Sequence, residues 1–388
     1  MANAPIEIID GDRGKNYPSQ ADLLPQGHCL FLSTKNVRAA GFDFSECQFI
    51  TQEKDGSLRK GKIQRNDVIL TTRGTVGNIA FYSTNVPYEN IRINSGMLIL
   101  RPNISEINPL FNFYLIQVLR STFDTVVSGS AQPQLPIKDL ISLEILLPPI
   151  SEQKAIAAVL SSLDDKIDLL HRQNATLEAM AEALFRQWFL VEAREKWESA
   201  PLSYFGKVVC GKTPSKANKY FFGGEIPFIK IPDMHGKIFI DKTSDTLTEE
   251  GASSQANKYI PPDSICVSCI ATVGLVSMTK AICQTNQQIN TIIPSYSFYR
   301  HFLFFYLRLL KDELENMASG GTATPNLNTG DFSRIEILSP CDSLLKNFDN
   351  KVRSLFEKIN SNQAQISTLE KFRDTLLPKL MTGEIKVV

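Results

Sequence analysis

The chain has few of the features that mark membrane, secreted or unspecific nucleic-acid-coating proteins. Its most apolar stretch, residues 302–310, is interrupted by Arg308 and is too short to span a bilayer. The 41 basic residues only equal the 41 acidic ones, which argues against a protein that coats phosphates without specificity. No export or lipidation signal is present, and the seven cysteines are an odd number, so we expect buried free thiols and a cytoplasmic protein.

Motifs for catalysis and metal binding are also scarce. Residues 206–213 fit the spacing of a nucleotide-binding P-loop, but Pro214 follows and no helical apolar period comes after it, so we interpret the match as chance. Cys266 and Cys269 form a lone C-x-x-C without a nearby His, which favours core thiols over a zinc site. Residues 147–150 lack the polar and aromatic residues with which an adenine methyltransferase holds its flipped base. We therefore predict no catalytic residue, no metal site and no cofactor bound by this chain.

An internal repeat with an offset of 192 residues is the strongest signal in the sequence. The pairs related by this offset are 132–135 with 324–327, 143–146 with 335–338, 111–119 with 303–311, 165–167 with 357–359 and 177–178 with 369–370. Further upstream, Asn66-Asp67 matches Pro262-Asp263 and 74–77 matches 271–274, at offsets of 196 to 197. The chain is therefore one unit used twice.

Each repeat combines short β-like runs with a long helix. We expect strands around a turn within 63–82 and 259–278, and an apolar helix at about 108–121 and 299–314. The predicted fold class is α+β, with two mixed α/β globules joined by two long antiparallel coiled-coil helices in a pseudo-two-fold tandem repeat. The predicted boundaries are 1–150 and 194–342 for the globules, and 151–193 and 343–388 for the helices.

Both long helices carry a heptad seam of alternating four- and three-residue steps. The seams are Ile156, Leu160, Leu163, Ile167, Leu170, Asn174, Leu177, Ala181, Leu184 and Trp188, and Phe348, Val352, Leu355, Ile359, Asn362, Ile366, Leu369, Arg373, Leu376 and Leu380. Antiparallel packing about the seam midpoints puts Asn174 opposite Asn362, a pair that can fix the register. Pro378 would end or kink the second helix. Each seam predicts a spacer roughly 50 Å long; in the alternative, each helix packs only on its own globule.

With this repeat and these helices, the sequence resembles the specificity subunit of type I restriction-modification enzymes. The resemblance lies in the helix opening 148–153 with 163–167, in 183–189, and in the ending 376–385. Residues 9–18 and 223–230 resemble the target recognition domains of that family. It covers nearly the whole chain in the family's order of recognition domain, helix, recognition domain, helix.

The resemblance implies a subunit without catalytic activity. Each recognition domain would read one half of a bipartite, asymmetric site in double-stranded DNA, and the helices would set the unread gap. Two methylation subunits would bind the chain to make an adenine methyltransferase, and two restriction subunits, whose presence the sequence does not decide, would add cleavage. S-adenosylmethionine, ATP and Mg would then lie on the partner subunits. The two recognition domains differ greatly outside the shared framework, so they should read different half-sites.

Positive charge is concentrated in the globules, as phosphate contact requires. Residues 54–73 and 205–242 each carry a surplus of about four positive charges, whereas 151–199 contains nine acids and six bases. Basic, amide and hydroxyl side chains in turns suit base edges and phosphates. The candidate DNA-binding residues are Lys15, Asn16, Tyr17, Lys35, Asn36, Arg73, Gly74, Thr75, Lys212, Thr213, Ser215, Lys230, Thr272, Asn286, Gln287 and Gln288. Each of these residues could instead serve only the turn that contains it.

Two other interpretations stay open from the sequence. In the first, the helices dimerise and the globules bind proteins, so that the chain is a protein–protein scaffold; DNA affinity with a steep salt dependence separates it from a DNA reader. In the second, the P-loop-like segment makes the chain an enzyme, which nucleotide binding by the isolated chain would test.

Overall fold

Two units of the chain each have their own sheets and hydrophobic cores. The computed structural model describes residues 1, 4–126, 134–191, 197–319 and 325–387. The first unit comprises Met1–Leu169 with Ile366–Val388, and the second comprises Leu170–Gln365. The predicted boundary between 193 and 194, and residues 132, 133 and 324 of the repeat, lie outside the described residues.

The first unit contains three small sheets, the smallest of which pairs Val37–Arg38 with Gly41–Phe42. Its described strands are β1 (Ile6–Asp10), β2 (Cys29–Leu32), β3 (Val37–Arg38), β4 (Gly41–Phe42), β5 (Phe49–Ile50), β6 (Val68–Thr71), β7 (Ile79–Phe81), β8 (Ile91–Ile93) and β9 (Met97–Pro102). Strands β1, β9, β6 and β7 form an antiparallel sheet in that order, and β5, β2 and β8 form a second sheet in which β2 and β8 are parallel. The helices are α1 (Gln52–Ser57), α2 (Pro109–Val126), α3 (Ile137–Ser142) and α4 (Ile150–Arg186), the last of which continues into the second unit.

Alternating side chains cover both faces of the four-stranded sheet in the first unit. Val68 and Leu70 pack in the core that contains α2, whereas Ile69 and Ile99 pack in the core that contains the three-stranded sheet. Successive side chains of a strand point to opposite faces, so an unbroken apolar run such as that of β6 is buried on both sides.

The second unit repeats this arrangement with additions. Its described strands are β10 (Glu198–Pro201), β11 (Gly206–Cys210), β12 (Phe222–Ile229), β13 (Phe239–Ile240), β14 (Asp245–Leu247), β15 (Ile265–Ser268), β16 (Val276–Thr279), β17 (Gln284–Thr285), β18 (Ile289–Pro294) and β19 (Glu336–Ser339). The helices are α5 (Leu202–Phe205), α6 (Ile231–Met234), α7 (Glu249–Ser253), α8 (Arg300–Leu309), α9 (Lys311–Ala318), α10 (Thr329–Ser333) and α11 (Asp342–Met381), the last of which continues into the first unit. The sheet orders are β11-β18-β15-β16-β13, β14-β12-β17 and β10-β19.

The strand orders confirm the tandem repeat. The order β1-β9-β6-β7 corresponds to β11-β18-β15-β16, and β5-β2-β8 corresponds to β14-β12-β17, with a parallel pair at the same place in each three-stranded sheet. Left-handed backbone also recurs: the pairs are Asn66 (φ 77°) with Asp263 (φ 62°), Gly74 (φ 71°) with Ala271 (φ 65°), and Gly77 (φ 87°) with Gly274 (φ 82°). Asn66 therefore corresponds to Asp263 and not to Pro262, so this whole segment has one offset of 197.

The two long helices run antiparallel within the second unit. The Nδ2 of Asn362 donates to Oδ1 of Asn174 over 2.8 Å, and the rings of Phe185 and Phe348 lie 6.1 Å apart. A residue later in α4 therefore contacts a residue earlier in α11, as antiparallel helices require. All seam residues are buried or half-buried. Pro378 does not end α11, which continues to Met381. The predicted helix 299–314 is instead two helices, α8 and α9, which meet at Leu310.

Four of the seven cysteines are buried as the sequence predicts, whereas Cys47 and Cys210 are half-buried and Cys341 is exposed. Cys266 and Cys269 lie in two different cores, and burial raises their pKa values to about 12 and about 11. This geometry fits core thiols and not a shared metal site. Cys341 is exposed, so the expectation that every thiol is buried is wrong there, because Cys341 directly precedes α11 at the surface.

Candidate nucleic-acid interface

The turn after β6 is fixed from both sides in the first unit. The amides of Thr72 and Arg73 donate to the carbonyl oxygen of Gly96 over 2.8 and 3.2 Å, and the amide of Leu135 donates to the carbonyl of Thr72 over 3.0 Å. Gly74 adopts a left-handed conformation that favours glycine. The exposed tip of this turn consists of Arg73, Gly74 and Thr75.

A second loop reaches the same place. The hydroxyl of Tyr17 accepts a hydrogen bond from the amide of Ser95 over 3.4 Å, and Ser95 adjoins the Gly96 that holds the turn. The Nδ2 of Asn16 donates to the carbonyl of Ser57 over 3.1 Å, whereas Lys15 is exposed. Tyr17 thus supports the loop, and Lys15 is free to meet a ligand.

Asp12 anchors the start of this loop. Burial by itself raises the pKa of the carboxyl, but the amides of Gly14 and Arg59 donate to it over 2.6 and 2.7 Å and outweigh that effect. The pKa of Asp12 is consequently lower than usual, and the carboxylate stays charged. The loop is therefore held in shape by an internal anion.

The segment after β2 contributes one exposed basic side chain, that of Lys35, and one buried amide side chain, that of Asn36. The Oδ1 of Asn36 accepts from the amide of Ser33 over 2.9 Å, while its Nδ2 donates to the carbonyls of Asp43 and Glu46 over 3.0 and 2.7 Å. These hydrogen bonds are all made within the protein, so the side chain of Asn36 stabilises the conformation of the segment and is not available to a ligand. Lys35 beside it is exposed. A Cβ on Gly96 would lie 2.8 Å from the methyl carbon of Thr34, so this segment also touches the turn.

We call the surface formed by 15–17, 34–35, 73–75 and 94–96 the first edge. Ion pairs decide which nearby bases stay available: Lys54 pairs with Asp22 at 3.1 Å, and Lys62 pairs with Asp55 at 2.7 Å. Arg65 lies over the ring of Tyr82, 4.2 Å from its centroid. Within the part of the chain that the structure describes, four basic residues on or near the first edge have no acidic partner: Lys15, Lys35, Lys60 and Arg73. The charge surplus of residues 54–73 is therefore only partly available to a ligand.

The second unit brings its candidates together in the same way. The hydroxyl of Thr213 donates to Oε1 of Gln287 over 2.7 Å, and the amide of Cys269 donates to the carbonyl of Gln288 over 2.8 Å. The Nδ2 of Asn286 donates to Oε1 of Gln288 over 2.9 Å. Asn286 is buried and positions its neighbour, whereas Gln287 is exposed. We call the surface formed by 212–215, 230, 270–272 and 286–288 the second edge.

Lys230 is less available than its sequence position suggests. Its ammonium pairs with the carboxylate of Asp245, and Oδ2 of Asp233 accepts from its amide over 2.9 Å. Asp233 thus stabilises the segment after β12 in the same way as Asn36 stabilises the segment after β2: each accepts a hydrogen bond from the backbone amide three residues before it. The exposed candidates of the second edge are Lys212, Ser215, Thr272 and Gln287.

Sequence reasoning missed several residues on or near these edges. Ile270 occupies the place of Arg73 in the second turn, and Tyr220 is 83% exposed beside Lys219 and Lys216. The equivalence of Ile270 and Arg73 could have been found from the offset of 197. The exposure of Tyr220 has no signal in the sequence, because tyrosine occurs both in cores and at surfaces.

The chemistry of both edges suits the reading of base edges and phosphates. Arg can bond guanine bidentately, amide side chains match adenine, and lysines meet phosphates. The residue 206–213 segment is strand β11 followed by loop, and no α-helix begins within 211–218, so it lacks the architecture of a P-loop. Groups of three or more potential metal ligands are not found among the described residues. None of the described helices is long and apolar enough to cross a membrane.

The model of the type I restriction modification DNA specificity domain matches this chain twice, at residues 7–179 and 194–361. The chain belongs to this family. The two matches coincide with the two repeats, so both repeats are DNA specificity domains.

Individual relatives of the family agree. The specificity subunit of the type I restriction enzyme HindI from Haemophilus influenzae is 34% identical over 97% of this chain and 98% of its own length. The MjaIX specificity subunit from Methanocaldococcus jannaschii is 29% identical, over 86% of this chain and 80% of its own. Among solved structures, the type I S subunit from M. genitalium shares the fold, with a TM-score of 0.59 and 17% identity over 97% of this chain and 93% of its own.

Proposed function

We propose that this chain is the non-catalytic subunit that gives a type I restriction-modification enzyme its DNA specificity, with each globule reading one half of a bipartite, asymmetric site. The observation that carries the proposal is the double match of the specificity domain to the two repeats. Each repeat presents an edge where loops distant in sequence are tied together by backbone hydrogen bonds. An edge of this kind holds exposed side chains rigidly, which sequence reading requires.

The side chains divide into readers and supports. The proposed contacts to DNA are Lys15, Asn16, Lys35, Arg73, Gly74 and Thr75 on the first edge, and Lys212, Ser215, Thr272 and Gln287 on the second. A further six candidates are placed behind them, since they are buried or half-buried and their polar groups are engaged within the protein: Tyr17, Asn36, Thr213, Lys230, Asn286 and Gln288. Thr75 and Thr272 are the same residue at equivalent positions, but Arg73 is matched by Ile270 and Lys35 by Pro232, so the half-sites should differ.

The long helices are proposed to set the unread gap and to dock the partner subunits. Met180 and Phe372 are 51% and 55% exposed, and they stand at equivalent points of the repeat, 192 residues apart. Large apolar side chains exposed twice at one structural position support two copies of one partner. We propose that these partners are two methylation subunits, which would hold S-adenosylmethionine; two restriction subunits would bring ATP and Mg. The complex would act in the cytoplasm, where DNA and partner subunits are.

The function is tested by sequencing the methylated bases of a host that expresses this chain with its methylation subunit. The control host expresses the methylation subunit alone. We expect a new split, asymmetric motif with methylated adenine in each half. Absence of such a motif, with the chain folded and bound to its partner, would contradict the proposal and favour a protein scaffold.

A further inference from the structure

We infer that Ile270 is a specificity-determining residue of the second globule, and that it reads a thymine methyl group from the position at which Arg73 reads guanine in the first. The inference rests on the proposed function and deepens it, because it assigns a chemical class of base to one point of each half-site.

The equivalence of the two positions follows from backbone contacts. Arg73 forms an isolated antiparallel bridge with Gln134, and Ile270 forms the same bridge with Asn326. The partner residues are 192 apart, as expected of the repeat. On the other side of each turn, Thr72 donates to Gly96 over 2.8 Å and Cys269 donates to Gln288 over 2.8 Å. The two side chains therefore leave the fold at the same point.

The second turn keeps this geometry although its sequence opposes it. Ala271 has φ 65°, where a Cβ is sterically disfavoured, while the first turn has Gly74 there. The amide of Ala271 donates to the carbonyl of Pro325 over 3.0 Å, and the amide of Leu327 donates to the carbonyl of Cys269 over 2.9 Å. Strained backbone of this kind persists where the surroundings enforce it, and such places cluster at ligand-binding sites.

The residue types then indicate what each turn reads. Isoleucine is not a residue that tight turns require, and Ile270 stays partly exposed within the second edge. In the major groove, the C5 methyl of thymine is the one apolar group on a base edge, and aliphatic side chains contact it. Arg73 is exposed without an acidic partner in the described part of the first unit, and its guanidinium matches O6 and N7 of guanine.

The experiment uses the full chain assembled with its methylation subunit, acting on a DNA library with randomised half-sites. Sequencing of the methylated molecules gives the base preference at each position. Ile270→Ala should lower the preference for thymine at one position of one half-site by about fourfold, the value for one methyl group removed from contact. Arg73→Ala should lower the preference for guanine at one position of the other half-site by about 5- to 150-fold.

Matched variants separate reading from folding. Ile270→Val keeps a branched aliphatic side chain and should keep the thymine preference. Ile282→Ala removes an equally apolar, 58% exposed side chain just before β17 and should change nothing. If Ile270→Ala leaves every base preference unchanged in a complex that still methylates, the inference is overturned. It is also overturned if Arg73→Ala keeps the preference for guanine at that position and only weakens binding overall, because Arg73 would then contact a phosphate and not the base. If the wild-type complex selects no split motif at all, the proposed function itself fails, independently of either turn.

Discussion

Gly11 in the first globule and Gly211 in the second stand at the same point of the fold, and a Cβ on either would collide with a carbonyl oxygen, at 2.2 Å from Asn94 and at 2.1 Å from Asn286. At other points of the edges the displayed side chains differ: Arg73 corresponds to Ile270, and Lys35 corresponds to Pro232. Loop lengths differ as well, since the segment from Gly11 to the end of β2 is three residues longer than the segment from Gly211 to the end of β12. Backbone geometry is therefore shared, and the chemistry of the edges is not.

This contrast explains how one fold can read two DNA sequences. Many of the contacts that fix the edges are made by backbone atoms, which do not restrict the side chains displayed, and the side chains that also fix them, such as those of Asp12 and Asn36, are buried. The readers can then change without rebuilding the core. Function lies in the edge and not in the fold.

Lengthening the two long helices should change the length of the unread gap and leave the half-sites unchanged. Four residues inserted after Ala175 and four after Ser361 keep the two helices in step and add about 6 Å, or roughly two base pairs. We expect the methylated motif to keep both half-sites and to gain a longer gap. The same four residues inserted at the exposed Ile104 should leave the gap unchanged. A change in half-sites with a constant gap would show that the helices do not set the spacing.

Removing one apolar contact should remove one partner. Phe372→Ser and Met180→Ser should each reduce the bound methylation subunits from two to one, and the double variant should bind none, as measured by native mass spectrometry. Ile104→Ser changes an exposed apolar side chain outside the long helices and should leave two bound. Full assembly by the double variant would place the docking surface elsewhere.

Gly211→Ala tests whether the shared frame is as tight as the close approaches indicate. The new Cβ must displace the carbonyls of Thr285 and Asn286, so we expect a loss of about 3 kcal/mol in the free energy of unfolding, measured by denaturant titration. Gly56→Ala is the control, because a Cβ there meets nothing within 4 Å and lies on α1. Equal stability of the two variants would show that the backbone can shift without cost.

The two turns predict effects of opposite sign. Gly74→Ala introduces a Cβ into left-handed backbone and should cost about 1 kcal/mol, whereas Ala271→Gly should relieve a penalty of similar size. The Cβ on Gly74 would meet only an ordinary contact at 3.5 Å from Oγ1 of Thr34, so packing does not confuse the result. Destabilisation by both changes would mean that Ala271 contributes contacts that outweigh its strain.

The sequence predicts the repeat, the seam and the Asn174–Asn362 contact because these depend on periodicity, which spacing alone reveals. It overestimates the available charge, since nothing local shows that Lys230 is paired with Asp245 fifteen residues away. It also places Asn36 among the readers, because the residue types that shape turns are those that read bases. Which polar side chains form their hydrogen bonds and ion pairs within the protein depends on tertiary structure. The set of candidate DNA contacts could therefore be reduced only with the structure.

A buried ionic cluster in the second unit has no counterpart in the first, and pH should expose this difference. Nδ1 of His301 lies 2.6 Å from Asp349, and Pro109 and Ala157 take these places in the first unit. Burial is the largest influence on His301 and lowers its pKa below 6.5, although the nearby carboxylate opposes this. Arg353 and the more distant Arg300 accompany Asp349, at 2.5 and 3.7 Å, and help to hold the pKa of that carboxyl low despite its burial.

Because the folded state keeps His301 neutral, its contribution is present above pH 6.5 and is lost as the pH falls below that value. The melting temperature of the second unit should therefore fall by a few degrees between pH 7.5 and 5.5, measured by calorimetry. His301→Gln should flatten this dependence, since glutamine can still donate to Asp349 and does not titrate. His171→Gln, at an exposed position of α4, should behave as wild type. A steeper loss in the His301 variant than in wild type would mean that the carboxylate outweighs burial and that the imidazole is protonated in the folded chain.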